Sequence, residues 1–516
     1  MDRKRSGLRS FIRAKKSENK ATGNVGFEDQ LWEAASVLWG SMDPNQYKNI
    51  VLGLVFLKYI SDRFEEKHTQ LVEEGEGFEE DEDEYASEVI FFVPPEARWS
   101  YILQYASKPE IGKVIDDAMV SIEKKHPTLE GVLPKNYSSP DYDKAKLGEV
   151  VINFSNILMN TKENDRDVLG RTYEYFLVRF SKNAGKGGEF FTPPCIVKTL
   201  VNVIQPFKGR VYDPCCGSGG MFVQSASFIK EHQGNIIRDV TIYGQDANPE
   251  TWKLCKMNLA IRGIEANLGK FNADTFHNDQ HPTLKADFIL ANPPFNLDNW
   301  GANKLQDDPR WAYGIPSDSN ANFAWIQHMI SHLSTNGRIG LVLANGSLSS
   351  TSNNEGIIRK NIVNADLVEG IISLPPQLFY TVQIPVSLWF ISRNKQNKGK
   401  TLFIDARKMG SMVTRTQREL SADEIKKIAD AFDAFRQDLD VNIQGFSKAA
   451  TLEEVEKQDF VLTPGRYVGI EEQEDDGESF EEKMSRLTAE LSGLFVKSHE
   501  LEEEIRKKLG AIGYEI

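Results

Sequence analysis

The amino-acid sequence predicts an α/β protein: a doubly wound, Rossmann-like sheet with a helical domain before it and a C-terminal helix after it. Three observations support this prediction. Short apolar strand segments alternate with helical segments between about residues 185 and 392, which is typical of a sheet covered by helices on both faces. Residues 27–182 carry apolar side chains at helical spacing. Residues 484–509 carry a 3–4 apolar repeat.

The composition is that of a soluble globular protein. The chain has 516 residues, of which 40% are hydrophobic and 26% charged, enough for about two to four domains. Its longest apolar run, Ile50 to Ile60, is interrupted by Lys58 and is too short to span a membrane. No apolar signal segment follows the basic first residues, so nothing indicates export. The four cysteines form no Cys-x-x-Cys pair, so we expect no metal site and a reducing cytoplasm.

The N-terminal part divides into a tail and a helical domain. Residues 1–24 are basic and polar, which predicts a disordered tail, with contact to DNA phosphates as the alternative. Residues 25–165 are predicted to be helical. Asp43 and Pro44 form a typical helix start, and the helical positions that follow are Ile50, Leu54, Leu57 and Ile60. The acidic stretch Glu73–Glu84 predicts a solvated loop, and a strand signal occurs at Val89–Val93.

Residues 166–395 contain the predicted sheet, and residues 396–470 extend it. The predicted strands are Arg210–Tyr212, Thr241–Gly244, Asp287–Ala291, Arg338–Leu343, Val368–Ile372, Val386–Ile391 and Thr401–Asp405. A helix is predicted at Ser421–Leu439, followed by an irregular segment to Ile470. In such sheets ligands bind at the carboxyl ends of the strands.

Residues 471–516 are predicted to form an acidic linker and a coiled-coil-like helix. The apolar seam of this helix, interrupted by Ser498, consists of Met484, Leu487, Leu491, Leu494, Leu501, Ile505 and Leu509. Because the other helix faces are polar, the seam suits a partner helix. Packing against the chain's own domain is the alternative.

The first predicted strand runs into a glycine-rich turn, Asp213-Pro214-Cys215-Cys216-Gly217-Ser218-Gly219-Gly220. Its glycines allow a nucleotide-like cofactor to approach the backbone and the next helix N-terminus. Asp246 follows the next strand and suits ribose hydroxyls. Asp274 follows a later strand region and can accept a hydrogen bond from the exocyclic amine of adenine. Each aspartate alone could cap a helix, but three in this order favour a cofactor site.

The strongest signal is an apolar strand that ends in Asn292-Pro293-Pro294-Phe295. The amide oxygen of Asn292 and the carbonyl of Pro293 can together accept both hydrogens of an amino group, while the proline ring fixes the backbone. Phe295 can stack on a planar base. The alternative, an ordinary proline turn, leaves the asparagine and the aromatic residue unexplained.

These motifs resemble the ordered motifs of amino-group methyltransferases that use S-adenosylmethionine. Glu189-Phe190-Phe191-Thr192-Pro193 resembles the motif for the methionine part of the cofactor, and its place before the glycine-rich turn is that of the gamma class. Leu169–Phe176 and Gly187–Phe190 further resemble the modification subunit of type I restriction-modification enzymes. The resemblance covers nearly all of the chain from Phe27 onward and is most specific in the middle.

The resemblance implies methylation of the N6 amino group of an adenine flipped out of double-stranded DNA. The implied catalytic residues are Asn292, Pro293, Pro294 and Phe295. The implied cofactor-binding residues are Glu189, Phe190, Phe191, Thr192, Asp213, Pro214, Gly217, Ser218, Gly219, Gly220, Asp246, Asp274 and Asn292. Cys195 precedes the cofactor turn, so we expect a helix residue there and no nucleophile. Cytosine N4, an RNA base or a protein glutamine are alternative targets, and a cofactor-binding scaffold is the non-enzymatic alternative.

Two further expectations concern DNA. The long segment Leu297–Asn320 contains Trp300, Trp311 and Tyr313 and is predicted to be a lid that closes over the flipped base or the DNA backbone; a disordered surface loop is the alternative. The net charge of −14 lacks the basic footprint of a protein that holds DNA alone, and no segment remains for base readout. Sequence recognition is therefore predicted to lie in a specificity subunit bound by the terminal helix. The resemblance also implies a second modification subunit, joined through the specificity subunit, and an endonuclease subunit.

Overall fold

The structure is a computed structural model that describes residues 27–38, 44–157, 192–232, 234, 236–379, 384–470 and 480–511, and seven residues within 172–180. The contacts divide the chain into two units, Met1–Val468 and Gly469–Ile516, which are described separately. The predicted tail at residues 1–24 lies outside the described residues.

The N-terminal region is helical, as the apolar spacing predicts. Its helices are α1 (Phe27–Ala35), α2 (Pro44–Glu74), α3 (Glu82–Ala86), α4 (Trp99–Leu103), α5 (Ile111–Lys125) and α6 (Lys144–Ser155). The predicted helix start at Pro44 is confirmed, and the apolar positions Leu54 and Leu57 on α2 are fully buried. Lys58 on the same helix is also buried and forms an ion pair with Asp62 one turn later, which explains how a lysine is accommodated within this apolar run.

Of two local predictions in this region, one was partly confirmed and one was wrong. The acidic stretch forms a loop over residues 75–81, but its last residues begin α3, which Asp81 caps by accepting a hydrogen bond from Asp83 N. The strand signal at Val89–Val93 corresponds to no strand among the described residues. Val89 has a φ of 58°, and Phe92 and Val93 are buried in the helical core. Short apolar runs of this kind do not distinguish a strand from a buried coil.

A nine-stranded mixed sheet organises the rest of the first unit. Its strands are β1 (Gly209–Asp213), β2 (Val240–Gly244), β3 (Ala266–Asn267), β4 (Ala286–Ala291), β5 (Leu333–Ala344), β6 (Val368–Ser373), β7 (Val386–Ser392), β8 (Lys400–Asp405) and β11 (Ser447–Thr451). They lie in the order β11-β8-β6-β7-β5-β4-β1-β2-β3. β7 and β11 run antiparallel to their neighbours, and the remaining pairs are parallel.

Helices cover both faces of this sheet, which confirms the doubly wound architecture. They are α7 (Pro194–Ile204), α8 (Gly220–Glu231), α9 (Ile236–Asp239), α10 (Pro249–Ile261), α11 (Asn322–His332), α12 (Glu355–Asn364), α13 (Ala422–Arg436) and α14 (Leu452–Lys457). Alternate residues of β4 enter different cores: Leu290 packs with α7, α8 and α13, whereas Ile289 and Ala291 pack with α11 and α12. This alternation is the two-residue period of a strand buried on both faces.

The seven predicted strands are all present, but the sequence patterns missed several short elements. The segment predicted to be irregular up to Ile470 contains β11 and α14. A two-stranded hairpin of β9 (Ser411–Met412) and β10 (Arg418–Glu419) was also missed. The strand predicted to lead into Asp274 is only the two-residue β3, and Asp274 lies in a turn well beyond it. Short edge strands carry little periodicity of their own, because pairing with a neighbour creates them.

The second unit contains one long helix, α15 (Phe480–Ala511, 32 residues). The apolar side chains of its seam are exposed, with Leu491 at 49% and Ile505 at 51%, except for Leu509, which is half-buried. Across the parts of the chain that the structure describes, no helix combines the length and apolarity that crossing a membrane requires.

Candidate active site

The carboxyl ends of β1, β2 and β4 meet at one edge of the sheet. β1 pairs with β2 on one side and with β4 on the other, parallel in both cases. From β1 the chain proceeds through β2 and β3 in one direction and through β4 and β5 in the other. The gap between β1 and β4 is therefore the topological switch point, where ligands bind in open α/β sheets. Asp213 and Asn292 stand at this gap.

The glycine-rich turn leaves open space beside its backbone. Gly217 has a φ of 54°, which only glycine adopts readily. A Cβ at Gly217 or Gly220 would meet no atom of the described residues within 4 Å, so a ligand can approach the backbone past these residues. At Gly219 the reason for glycine is different: a Cβ would lie 2.9 Å from the Cys255 sulfur on α10. Open space above a helix N-terminus fits a nucleotide-like cofactor.

Asp213 is a buried carboxyl at the end of β1. Its Oδ1 accepts a hydrogen bond from Cys215 N at 3.0 Å. Burial raises the pKa of Asp213 to about 7, an effect that the Cys215 hydrogen bonds oppose and the neighbouring Asp246 adds to. A carboxyl of this kind favours a cationic neighbour, which would restore its ionised form.

The two other predicted aspartates occupy neighbouring turns. Asp246 accepts from Gly217 N at 3.0 Å and from Asn248 N at 2.9 Å, so it joins the turn after β2 to the glycine-rich turn. Asp274 accepts through Oδ1 from Phe276 N at 2.8 Å and is exposed. Among the described residues, Asp274 Oδ2 accepts no hydrogen bond, which leaves it able to bind a donor.

The side chain of Asn292 is oriented by one hydrogen bond. Its Nδ2 donates to Thr192 Oγ1 at 2.8 Å, so the amide oxygen points the other way. That oxygen, Oδ1, is buried and has no hydrogen-bond partner among the described residues. Pro293 is buried and Pro294 exposed. A buried acceptor without a hydrogen-bond partner destabilises a folded protein by about 1–3 kcal/mol. Such an acceptor is typical of a binding site in which the ligand supplies the missing hydrogen-bond donor.

The ring of Phe295 is partly buried at the same edge. It lies 5.9 Å from the ring of Phe379 at an interplanar angle of 83°, an edge-to-face contact that fixes the plane of Phe295. Phe379 lies shortly after β6, more than eighty residues beyond Phe295 in the sequence. It was not predicted as a site residue, because no local pattern connects the two rings.

Of the remaining predicted site residues, some form hydrogen bonds that stabilise the turns at this edge, and others lie outside the described residues. Pro214 O accepts from Thr275 Oγ1 at 2.5 Å, and Ser218 O accepts from Asn258 Nδ2 at 2.6 Å. The motif residues Glu189, Phe190 and Phe191 lie outside the described residues. The structure therefore brings Thr192 to Asn292, joins the turn of Asp246 to the glycine-rich turn that follows Asp213, and places Asp274 in an exposed turn.

The long segment Leu297–Asn320 is ordered and packed. Trp300 and Trp311 are buried in the core shared with α11, and Asp318 Oδ1 accepts from both Gly301 N and Ala302 N at 2.8 Å. The disordered-loop alternative is therefore wrong. Closure of this segment over DNA stays a prediction.

Cys195 lies in α7 and is buried, which confirms the expected helix residue. Burial raises the pKa of its thiol, so the reactive thiolate is disfavoured.

One cluster of possible metal ligands was not foreseen from the sequence. Atoms of Asp279, His328 and His332 lie within 4.8 Å of one another. Both nitrogens of each histidine already have polar partners: His332 contacts Leu284 O and Asp279, and His328 contacts Arg310 and Tyr212. The cluster is thus a buried hydrogen-bond network, and the prediction of no metal site stays a prediction.

The switch-point turn, its aspartates and the Asn-Pro-Pro-Phe end of β4 together define the class of S-adenosylmethionine-dependent amino-group methyltransferases. Two family models match this chain and identify its family. The family model described as N-6 DNA Methylase matches residues 164–476, and the one described as HsdM N-terminal domain matches residues 27–154. The chain belongs to the N-6 DNA methylase family.

Individual relatives agree with this assignment. The type I restriction enzyme HindI methylase subunit of Haemophilus influenzae is 53% identical, over 78% of this chain and 93% of its own. The MjaIX methylase subunit of Methanocaldococcus jannaschii is 41% identical, over 95% and 92%. The type I methyltransferase subunit of Streptococcus thermophilus, a crystal structure, superposes with a TM-score of 0.72 at 26% identity, covering 86% of this chain and 99% of that one. This chain is an S-adenosylmethionine-dependent DNA methyltransferase, the modification subunit of a type I restriction-modification system.

Proposed function

We propose that this chain transfers a methyl group from S-adenosylmethionine to the N6 amino group of an adenine flipped out of double-stranded DNA. The observation that carries this proposal is the buried Oδ1 of Asn292, which has no hydrogen-bond partner in the described part of the chain. The hydrogen bond of Asn292 Nδ2 to Thr192 holds the oxygen in place before any substrate arrives. A primary amine on a planar ring supplies the missing donor.

The chain's own residues do most of their work by positioning. Asn292 Oδ1 accepts one amine hydrogen, and the carbonyl of Pro293 accepts the other. With both amine hydrogens held by these acceptors, the orientation of the lone pair on the amine nitrogen is fixed. The reaction then depends on the alignment of this lone pair with the methyl donor and on the removal of water. The base stacks on Phe295, which contributes about 1–3 kcal/mol in comparable stacking. S-adenosylmethionine, when bound, supplies an electrophilic methyl group on its sulfonium.

The residues of the switch point fit this cofactor. The open approach at Gly217 and Gly220 admits it, Asp213 suits a cationic part, and Asp246 suits the ribose hydroxyls. Asp274 Oδ2 is an acceptor for the amine of the cofactor's adenine. Pro214, Ser218 and Gly219 shape the turn. Glu189, Phe190, Phe191 and Thr192 are proposed to hold the methionine part on the strength of the family motif.

We further propose that a specificity subunit reads the DNA sequence and binds the exposed seam of α15. The net charge of −14 and the exposed Leu491 and Ile505 support this division of labour, because a chain with a net negative charge is poorly suited to hold DNA alone and α15 exposes apolar side chains. The proposed assembly includes a second modification subunit, joined through the specificity subunit, and an endonuclease subunit. Its substrate implies the cytoplasm as the place of action.

The test is a transfer reaction with the chain, a specificity subunit, cofactor labelled in the methyl group and duplex DNA, followed by digestion to nucleosides. We expect label only in N6-methyl-2′-deoxyadenosine, and none when the specificity subunit is omitted. Label in cytosine, in RNA or in protein would refute the adenine assignment. Absence of transfer to every substrate would favour a scaffold. Transfer without the specificity subunit would refute the delegated recognition.

A further inference from the structure

We propose that Arg310 is a positioning residue for cofactor recognition: it holds the turn that presents Asp274 to the adenine of S-adenosylmethionine. This inference rests on the proposed role of Asp274. Arg310 belongs to the segment Leu297–Asn320, so this segment would also stabilise the cofactor side of the site, in addition to its predicted role as a lid.

The guanidinium of Arg310 is saturated with acceptors. Nε and Nη2 donate to the two oxygens of Asp308 at 2.9 and 2.6 Å. Nη1 donates to Thr275 O at 3.2 Å, and Nη2 to Phe276 O at 2.6 Å. The second hydrogen of Nη1 is donated to His328 Nδ1 at 3.1 Å. Each of the five N–H groups thus has an acceptor, an arrangement that lysine cannot reproduce.

The two carbonyls bound by this guanidinium belong to the residues directly after Asp274. The carboxyl of Asp274 accepts from the backbone N–H groups of Phe276 and His277 at 2.8 and 3.0 Å, so the course of this turn sets the direction of the carboxyl. Thr275 also donates to Pro214 O at 2.5 Å. A displacement of the turn would therefore move Asp274 and disturb the glycine-rich turn.

The acceptor His328 is itself held rigidly. Because Nδ1 accepts from a guanidinium, Nε2 carries the ring proton and donates to Tyr212 Oη at 3.2 Å. Burial lowers the pKa of His328 well below its ordinary value, which keeps the ring neutral and Nδ1 able to accept. Tyr212 immediately precedes Asp213 on β1. The brace is thus anchored on the strand that carries the cofactor turn.

The same segment contacts the turn at a second point. The carbonyl of Trp300 accepts from His277 Nε2 at 2.8 Å, and the Trp300 ring lies 4.8 Å from the ring of Phe276. Gly301 has a φ of 83°, and a Cβ there would lie 2.7 Å from His277 Nε2. Glycine is therefore required both for the backbone conformation and for the close approach.

The experiment compares two ligands by isothermal titration of the full chain: S-adenosylhomocysteine and its purine-riboside analogue, which lacks the 6-amino group. The wild-type chain should prefer the adenosyl ligand, and Asp274→Ala should abolish that preference. Arg310→Lys keeps the positive charge but loses the planar guanidinium that binds several acceptors at once. The ratio of the affinities for the two ligands should therefore fall by at least about ten-fold. Asp308→Asn, which leaves the arginine in place with a weaker partner, should lower the preference in the same direction and covers the case in which Arg310→Lys does not fold.

The matched control is Arg436→Lys. Arg436 is a buried arginine that, like the half-buried Arg310, forks onto a carboxylate: it donates to Glu369 at 3.1 and 2.8 Å on the opposite face of the sheet. It should lower the melting temperature and leave the ligand preference unchanged. If Asp274→Ala abolishes the preference and Arg310→Lys keeps it, Arg310 has no positioning role. If Asp274→Ala keeps the preference, the proposed role of Asp274 fails, and the inference about Arg310 fails with it.

Discussion

The catalytic edge, where β1 and β4 end, and the terminal helix α15 both present groups without a partner among the described residues. The group at the catalytic edge is polar and buried, whereas the groups on α15 are apolar and exposed. At the end of β4 the amide oxygen of Asn292 is buried and has no hydrogen-bond partner among the described residues. On α15 the apolar side chains are exposed, Leu491 at 49% and Leu494 at 57%. A buried acceptor calls for a hydrogen-bond donor, whereas an apolar helix face calls for another apolar surface.

A second contrast supports this interpretation of α15. Helix α2 has 31 residues and α15 has 32, and both carry apolar positions at helical spacing. Leu54 on α2 is fully buried in the N-terminal core, whereas Leu491 on α15 is half exposed. Since most helix stability in proteins comes from packing of the apolar face, α2 is stabilised within its own chain, whereas the exposed apolar face of α15 leaves a surface for the proposed docking of a partner.

The largest effect is expected from removing the terminal helix. Deleting residues 472–516 should abolish co-purification with the specificity subunit, because the exposed seam is lost. Cofactor binding should be unchanged, since the switch-point residues lie in the other unit. Both are measured on the purified chain, by pull-down and by calorimetry. An assembly that survives this deletion would contradict the docking role.

The next largest effect concerns the unpaired oxygen. Asn292→Ala should lower kcat about 10²–10³-fold, by analogy with removal of a single polar contact to the reacting group, and should change cofactor affinity much less. Single-turnover methylation with the specificity subunit present measures this. Asn336→Ala, at an exposed asparagine that pairs only with Asn394, is the control. Unchanged turnover in Asn292→Ala would remove the main support for the proposed mechanism.

The two long helices can be compared directly by matched leucine substitutions. Leu54→Ala should lower the free energy of unfolding by about 2–5 kcal/mol, because it leaves a cavity in a packed core. Leu491→Ala should lower it by less than about 0.5 kcal/mol and should instead weaken binding to the specificity subunit. Urea denaturation of the isolated chain measures the first difference. Equal losses in both variants would show that α15 packs within its own chain.

The smallest expected effect is a pH dependence at the catalytic edge. Burial raises the pKa of Asp213 to about 7, so its ionised fraction falls about ten-fold per pH unit below that value. A cationic part of the cofactor beside Asp213 needs the ionised form, so the Kd for S-adenosylmethionine should rise as pH falls below 7 and level off above it. Titration calorimetry across pH 5.5 to 8.5, roughly one and a half units on either side of this pKa, measures the slope. Asp213→Asn should remove that slope.

The same carboxyl has a predictable effect on stability. Between the ordinary pKa of 3.8 and about 7, the folded chain holds a proton on Asp213 that the unfolded chain has released. The folded state therefore binds more protons, and this group's contribution to stability falls as pH rises through that window. Bound cofactor should reduce the loss, and melting temperatures with and without cofactor at roughly pH 5, within this window, and roughly pH 8, above it, test this.

The sheet and the catalytic motif could be predicted because their signals are local. Each predicted strand, such as Asp287–Ala291, is an apolar run with a clear end, and the side chain that follows it is set by chain direction. Elements created by their neighbours were missed. β11 becomes a strand by pairing with β8 from Ser447 to Thr451, and its own residues, Ser-Lys-Ala-Ala-Thr, have no strand pattern. The strand predicted to lead into Asp274 was placed wrongly for the same reason, since only the two-residue β3 pairs with its neighbour.

The sequence by itself determined the fold class, the family motifs and the identity of Asn292 to Phe295, because periodicity and turn chemistry depend on residues that are neighbours along the chain. Only the tertiary structure decided how those residues are used. Thr192, a hundred positions earlier, orients the amide of Asn292, and Arg310 meets Thr275 and Phe276 across the fold. Such contacts depend on how packed elements converge in space, and no spacing along the chain specifies that convergence.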